Sequence, residues 1–164
     1  MKIIAFSDSH GDHLSMLHAL RKHPKAEVVI FCGDGHNDIR EVQKAFPDKM
    51  YLTVKGNCDW CCEFANVQTI TLCGKKLLIT HGHIQRVKES MMQLTYFGNQ
   101  EHADIVVFGH THQQVTFLES KMILLNPGSI GFNQQYSIID IDEKTGKITV
   151  NEFPHNKYGT FSVV

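Results

Sequence analysis

Short apolar runs that each end at residues able to bind a divalent cation constrain this chain more than any other feature. Lys2–Phe6 leads to Asp8 and His10, Val28–Phe31 to Asp34, and 50–54 to Asn57. Further on, 76–80 leads to His81, and 105–108 to His110 and His112. β-rich runs of this length, bounded by turn residues, suit strands covered on both faces. In an open α/β sheet the carboxyl ends of the strands share one edge, so these separated clusters are expected to meet there as a metal site. Independent surface histidines have no reason to fall in that pattern. The chemistry it implies is metal-assisted hydrolysis.

The remaining segments fill in around those strands. Asp12 as an N-cap, Leu14, Leu17 and Leu20 at near-helical spacing and Pro24 beyond them predict a helix between the first two strands, making a βαβ unit. A second helix is expected over 38–46, ahead of Pro47. Val67–Leu72 and 76–80, separated by Cys73, Gly74 and Lys75, predict a hairpin. A helix over 86–97 would bury Val87, Met91 and Leu94. Strands then dominate, over 105–108, 115–118, 122–125, Tyr136–Ile141 and 147–150. Ile139 and Ile141 alternate with Asp140 and Asp142 as in a sheet with one wet face, and Lys144-Thr145-Gly146 closes a hairpin. The expected architecture is α/β: two packed mixed sheets flanked by helices, in a single domain over 1–164.

Charge and cysteine content narrow the function. With 16 basic and 17 acidic residues the chain is near neutral, so no global field draws it to a polyanion or an anionic membrane. There is no strong nucleic-acid signal. The first apolar run is too short for a signal peptide or a membrane span, and five cysteines form an odd set without a paired framework. A cytoplasmic protein is expected. The sequence leaves oligomeric state open, a homo-oligomer included.

Asp8-Ser9-His10 and His110-Thr111-His112 each place two side chains on one side of an extended segment. Two such pairs, with Asp34 as a carboxylate able to bridge, point to two cations about 3.5–4 Å apart. The mixture of carboxylate, imidazole and amide suits manganese, iron, zinc or nickel better than magnesium or calcium.

The motifs Asp8-Ser9-His10, Gly33-Asp34, Gly56-Asn57-Cys58-Asp59, His81-Gly82 and Gly109-His110-Thr111-His112 resemble the calcineurin-like metallophosphoesterases, and in particular their small phosphodiesterase branch. The resemblance implies a four-layer α/β/β/α sandwich. It implies that Asp8, His10 and His112 hold one metal and Asn57, His81 and His110 the other, with Asp34 shared and manganese the first choice. A metal-bridging hydroxide would then attack a small-molecule phosphodiester in line, while Asn57 and His110 disperse the charge that develops. Many phosphatases of the superfamily carry histidine after the motif asparagine; here the position is Cys58. A thiol is a poor acid at neutral pH, so esters with good leaving groups, such as aryl phosphodiesters, are expected to turn over best. The competing reading is a catalytically silent scaffold, because a eukaryotic retromer subunit shares this fold.

Other chemistry-bearing residues are weighed against ordinary roles. Asp59 either orients a metal ligand or sits near the leaving group, or else hydrogen-bonds local backbone, the commoner use of Asp in a turn. His36 and His83 are candidates to protonate the leaving group. His13, His18, His23, His102 and His155 read as ordinary solvated histidines. Cys58 and Cys61 form C-x-x-C, but a redox pair is expected at a helix N-terminus and here the first cysteine lies inside the asparagine motif. Asn126-Pro127-Gly128-Ser129 reads as a turn, which the resemblance puts near the metal rim, with no nucleophilic serine. Trp60, Tyr96 and Phe97 read as packing residues, since no basic interleaving makes them a base-stacking platform.

Overall fold

The first sheet begins with consecutive strand–helix units. In the computed structural model, which describes residues 1–154 and 161–163, these are β1 (Lys2–Phe6), α1 (His13–Lys22), β2 (Val28–Phe31), α2 (His36–Ala45) and β3 (Met50–Thr53). The three strands pair in parallel, Ile3 opposite Val28 and Val28 opposite Met50. A second sheet follows from β4 (Val67–Leu72), β5 (Lys75–Thr80), β6 (Ile105–Val107), β7 (Val115–Glu119) and β8 (Met122–Asn126), with α3 (Met92–Gln100) between β5 and β6. Its order is β4-β5-β6-β8-β7, parallel through β5, β6 and β8 and antiparallel at both edges. After a short α4 (Ile130–Asn133), the chain returns to the first sheet as β9 (Tyr136–Ile141), β10 (Ile148–Phe153) and β11 (Phe161–Val163), giving β11-β10-β9-β1-β2-β3.

Strand alternation sorts the apolar residues into three cores. Ile3, Ala5, Val28 and Ile30 meet Leu77, Ile79, Ile105, Val107, Ile123 and Leu125 between the sheets. Ile4, Phe6, Val29 and Phe31 face the other way, onto Met16, Leu20, Ile39 and Val42 of α1 and α2. Leu78, Val106, Phe108 and Leu124 take Leu94 of α3 on the outer face of the second sheet. The four layers are helices, sheet, sheet and helix, with both faces of the central strands dry; each such fully buried Val, Ile, Leu or Phe contributes ~1.5–3 kcal/mol. Among the described residues no helix is long and apolar enough to cross a membrane.

Several expectations need correction. In α1, Asp12 caps as expected, accepting from Ser15 N at 3.0 Å, but the buried face is Met16, Ala19 and Leu20 while Leu14 is exposed. α2 begins at His36, two residues early, directly after Gly35. The helix expected from residue 86 starts at Met92: Arg86 adopts φ 53°, which breaks a helix, and Ser90 Oγ accepts from Met92 N at 3.2 Å. Val87 and Leu94 are buried nonetheless, and Met91 packs against the same core, so the apolar stripe was real but lies on turns as well as helix. β9 has no wet face over most of its length, because Tyr136 and Ile138 pack under the helices while Ile139 and Ile141 enter the inter-sheet core. Trp60 and Tyr96 are exposed rather than packed, whereas Phe97 does lie against the outer core. His155 lies outside the described residues.

Candidate metal centre

Every parallel strand of both sheets delivers its carboxyl end to one rim, and the loops leaving those ends are conformationally unusual. Among the described residues, Asp8, His10, Asp34, His110 and His112 all adopt positive φ, from 45° to 70°. Such backbone is sparsely populated for residues with a side chain and persists only where surrounding contacts impose it. The contacts that do so are visible. Asp59 Oδ2 accepts from Asp34 N and Gly56 N, both at 2.8 Å, while Oδ1 accepts from Gly35 N at 2.8 Å and His36 N at 2.9 Å. Burial opposes ionisation of Asp59, yet these four amides outweigh it and hold the carboxyl below its usual value. Asn126, fully buried, donates from Nδ2 to Gly109 O at 2.8 Å and to Thr111 Oγ1 at 3.0 Å, which sets the turn carrying His110 and His112.

The seven side chains come together. Asp8 Oδ1, His10 Nε2 and His112 Nε2 form one group, with His112 Nε2 at 3.2 Å and His10 Nε2 at 3.9 Å from the carboxylate oxygen. His10 and His112 approach each other at 3.4 Å between their Nε2 atoms. The second group centres on His81 Nε2, which lies 3.1 Å from Asn57 Oδ1, 3.2 Å from His110 Nδ1 and 3.5 Å from Asp34 Oδ2. Asp34 stands between the groups, close to Asp8 and His81 together and also to His10. Cys58 N donates to Asp34 Oδ1 at 2.7 Å, and Gly56 allows that approach, since a Cβ there would collide with the same oxygen.

The donor chemistry fits a cation. His81 Nδ1 is 2.7 Å from Cys32 O, and a carbonyl only accepts, so Nδ1 carries the proton and Nε2 a lone pair. That lone pair therefore faces the oxygens of Asn57 and Asp34, acceptor against acceptor. Asp8 Oδ1 is buried and accepts no hydrogen bond, while Oδ2 accepts from His110 N at 3.1 Å. Burial raises the Asp8 carboxyl to about 6 and lowers His81 and His110 each to about 4. His112 is lowered by burial as well. A buried neutral imidazole whose lone pair is aimed at two oxygen acceptors, beside a buried carboxylate, is what a divalent ion satisfies.

The other candidates separate. Asp59 is engaged by backbone amides, with His36 Nδ1 at 3.2 Å from its Oδ1, so its position is beneath the Asp34 loop. Cys58 is exposed at the rim; its Sγ accepts from Asn57 Nδ2 at 3.2 Å, and burial together with Asp34 raises its thiol pKa, which works against a reactive thiolate. The His83 ring lies 5.3 Å from His81 and 6.1 Å from His110, centroid to centroid. Ser129 Oγ donates to Asp8 O at 2.8 Å and caps α4, a supporting role. Phe132 and Asp38, which accepts from Ser9 Oγ at 2.6 Å, were not expected at the site. Only Asn126-Pro127-Gly128-Ser129 had carried a signal, as a turn near the rim.

Strand-end ligands of this kind on two packed mixed sheets define a metallophosphoesterase fold. The chain belongs to the calcineurin-like phosphoesterase superfamily, whose domain model matches residues 1–144. It is 27% identical over 154 residues to the probable metallophosphoesterase YsnB of Bacillus subtilis, covering 90% of this chain and 89% of that one. It is 28% identical to the phosphodiesterase MJ0936 of Methanocaldococcus jannaschii, covering 78% and 83%. Among solved structures, a predicted phosphoesterase of Streptococcus pneumoniae TIGR4 superposes with a TM-score of 0.78 at 29% identity, over 99% of this chain and 97% of the other. Zinc-complexed Vps29 of Entamoeba histolytica shares the fold at a TM-score of 0.77 and 19% identity, over 99% and 97%.

Proposed function

We propose that the protein is a binuclear metal-dependent phosphodiesterase acting on small phosphate esters with good leaving groups. The observation that carries this reading is the meeting of seven ligand-type side chains at one rim, with the His81 lone pair facing the oxygens of Asn57 and Asp34. Asp8, His10 and His112 would hold one ion, Asn57, His81 and His110 the other, and Asp34 would be shared. Two such ions, manganese first and iron, zinc or nickel as alternatives, would supply Lewis acidity and an acidified water nucleophile.

The chain's own groups do the rest. Cys32 O fixes the tautomer of His81, so its Nε2 presents a lone pair to the cleft. Asn57 and His110, the more solvent-accessible members of the inner group, are placed to bind phosphoryl oxygens and disperse charge as it develops. Cys58, with its thiol pKa raised, is no acid for the leaving oxygen, which favours leaving groups that depart unprotonated. Naming of a relative at 28% identity as a phosphodiesterase supports the diester preference.

The test is hydrolysis of bis(p-nitrophenyl) phosphate with manganese beside Asp34→Ala. Loss of the shared carboxylate is expected to reduce kcat/KM by about 10³-fold or more, with the fold retained by circular dichroism. A folded, manganese-loaded wild type that turns over no phosphodiester would instead favour the scaffold role.

A further inference from the structure

Resting on that phosphoesterase reading, we propose that Phe132 forms a binding face for a planar aromatic ester group of the substrate, at the Asp8, His10 and His112 end of the cleft. Phe132 is a large apolar side chain left 65% exposed, and its ring lies 5.1 Å from the ring of His10 and 5.2 Å from that of His112. It is tilted 39° and 32° to them, so it stands beside the ligand pair with one side against the imidazoles and the remainder in water.

The segment that presents this ring is fixed to the metal-ligand loop. Ile130 N donates to Ser7 O at 3.1 Å, Gly131 N to Asp8 O at 3.3 Å, and Ser129 Oγ to Asp8 O at 2.8 Å. Ile130 is buried in the core under the helices of the first sheet, and Phe132 N is itself held by Ser129 Oγ at 3.0 Å. Gly131 permits the close approach, because a Cβ there would collide with Ser9 O. An exposed phenyl without such anchors would be an ordinary surface residue. One whose backbone is tied to that of Asp8 offers a preorganised stacking surface beside the His10 and His112 rings. Stacking needs no hydrogen-bond pattern, so the class selected is any flat π-system on the ester, an aryl group or a base, over a saturated one.

Calorimetric titration of the manganese-loaded protein with phenylphosphonate and ethylphosphonate tests this without requiring turnover. The wild type is expected to bind the phenyl compound about tenfold more tightly than the ethyl compound. Phe132→Ala should erase that preference by weakening phenylphosphonate about tenfold more than ethylphosphonate, and Phe132→Trp should keep it. A preference that survives Phe132→Ala overturns the proposal, as does an equal loss of both ligands, which would make the ring a support for His10 and His112. Failure of both phosphonates to bind the loaded wild type would remove the phosphoesterase reading and this proposal together.

Discussion

The two ends of the cleft use the same residue types in opposite settings. At the inner end His81 is 0% exposed and its Nδ1 is tied to Cys32 O at 2.7 Å. At the outer end the side chains of His10 and His112 are 25% and 33% exposed, and they lean on each other and on Phe132. An imidazole whose second nitrogen is already bonded to the fold loses little freedom on binding an ion; one held by ring contacts and by the other ion-facing atoms loses more. On the proposed reading, the inner end would retain its ion and the outer end would exchange it more readily.

Removing one imidazole from each end gives the largest expected separation. His81→Ala should weaken one ion by at least the 10–100-fold typical of disrupted ligand environments, and also leave the buried Cys32 carbonyl without its donor, at about 1–3 kcal/mol of stability. His10→Ala should weaken a different ion and leave thermal stability of the metal-free protein unchanged. Metal titration and melting of both variants check this. Equal stability losses in the two would erase the contrast.

Acid should separate the ends by a smaller margin. Asp8, raised to about 6 by burial, must give up its proton to bind an ion, so the outer end should lose about tenfold in affinity for each unit below that pH. His81 and His110, depressed to about 4, hold no competing proton until far lower. Counting bound ions after equilibration at pH 7.5 and pH 5 should show the outer one leaving first. For the metal-free fold the signs oppose. The raised Asp8 contributes stability that is fully present below its ordinary 3.8 and lost as pH rises through about 6. The depressed histidines contribute stability that is present above their ordinary 6.5 and lost as pH falls through about 4. Two imidazoles against one carboxyl make the melting temperature of the metal-free protein fall from pH 6 to pH 4.

The contrast between the ends also marks what the sequence could reveal. That these seven side chains meet was legible because each follows an apolar run closely, and strand ends in an open α/β fold share an edge. The hairpin between β4 and β5 was legible because Cys73 and Gly74 occupy its turn with φ 50° and 73°, the geometry that two-residue loops favour. The start of α3 was not, since Val87 and Met91 keep a helical spacing although Arg86 to Ser90 form turns, and burial alone does not distinguish the two. Nor was the support of the outer end. Asn126 reaches back 17 residues to Gly109, Asp38 reaches 29 to Ser9, and Ser129 reaches 121 to Asp8, pairings that no local pattern encodes.

Ser129 provides the finest test of the division. Its hydroxyl makes two bonds, donating to Asp8 O at 2.8 Å and accepting from Phe132 N at 3.0 Å, so it couples the outer ligand loop to the aromatic ring beside it. Ser129→Ala leaves an Asp8 carbonyl that Gly131 N still reaches, at 3.3 Å, and a first turn of α4 without its cap. The cost should be about 1 kcal/mol of global stability, the usual loss for an N-cap. Affinity at the outer end should fall only a few-fold as the Asp8 loop gains freedom, while His81, anchored through Cys32 on the other side of the cleft, should keep its ion unchanged. Ion-by-ion affinities of Ser129→Ala measure this directly, and a matching loss at the inner end would mean that the two halves move as one unit.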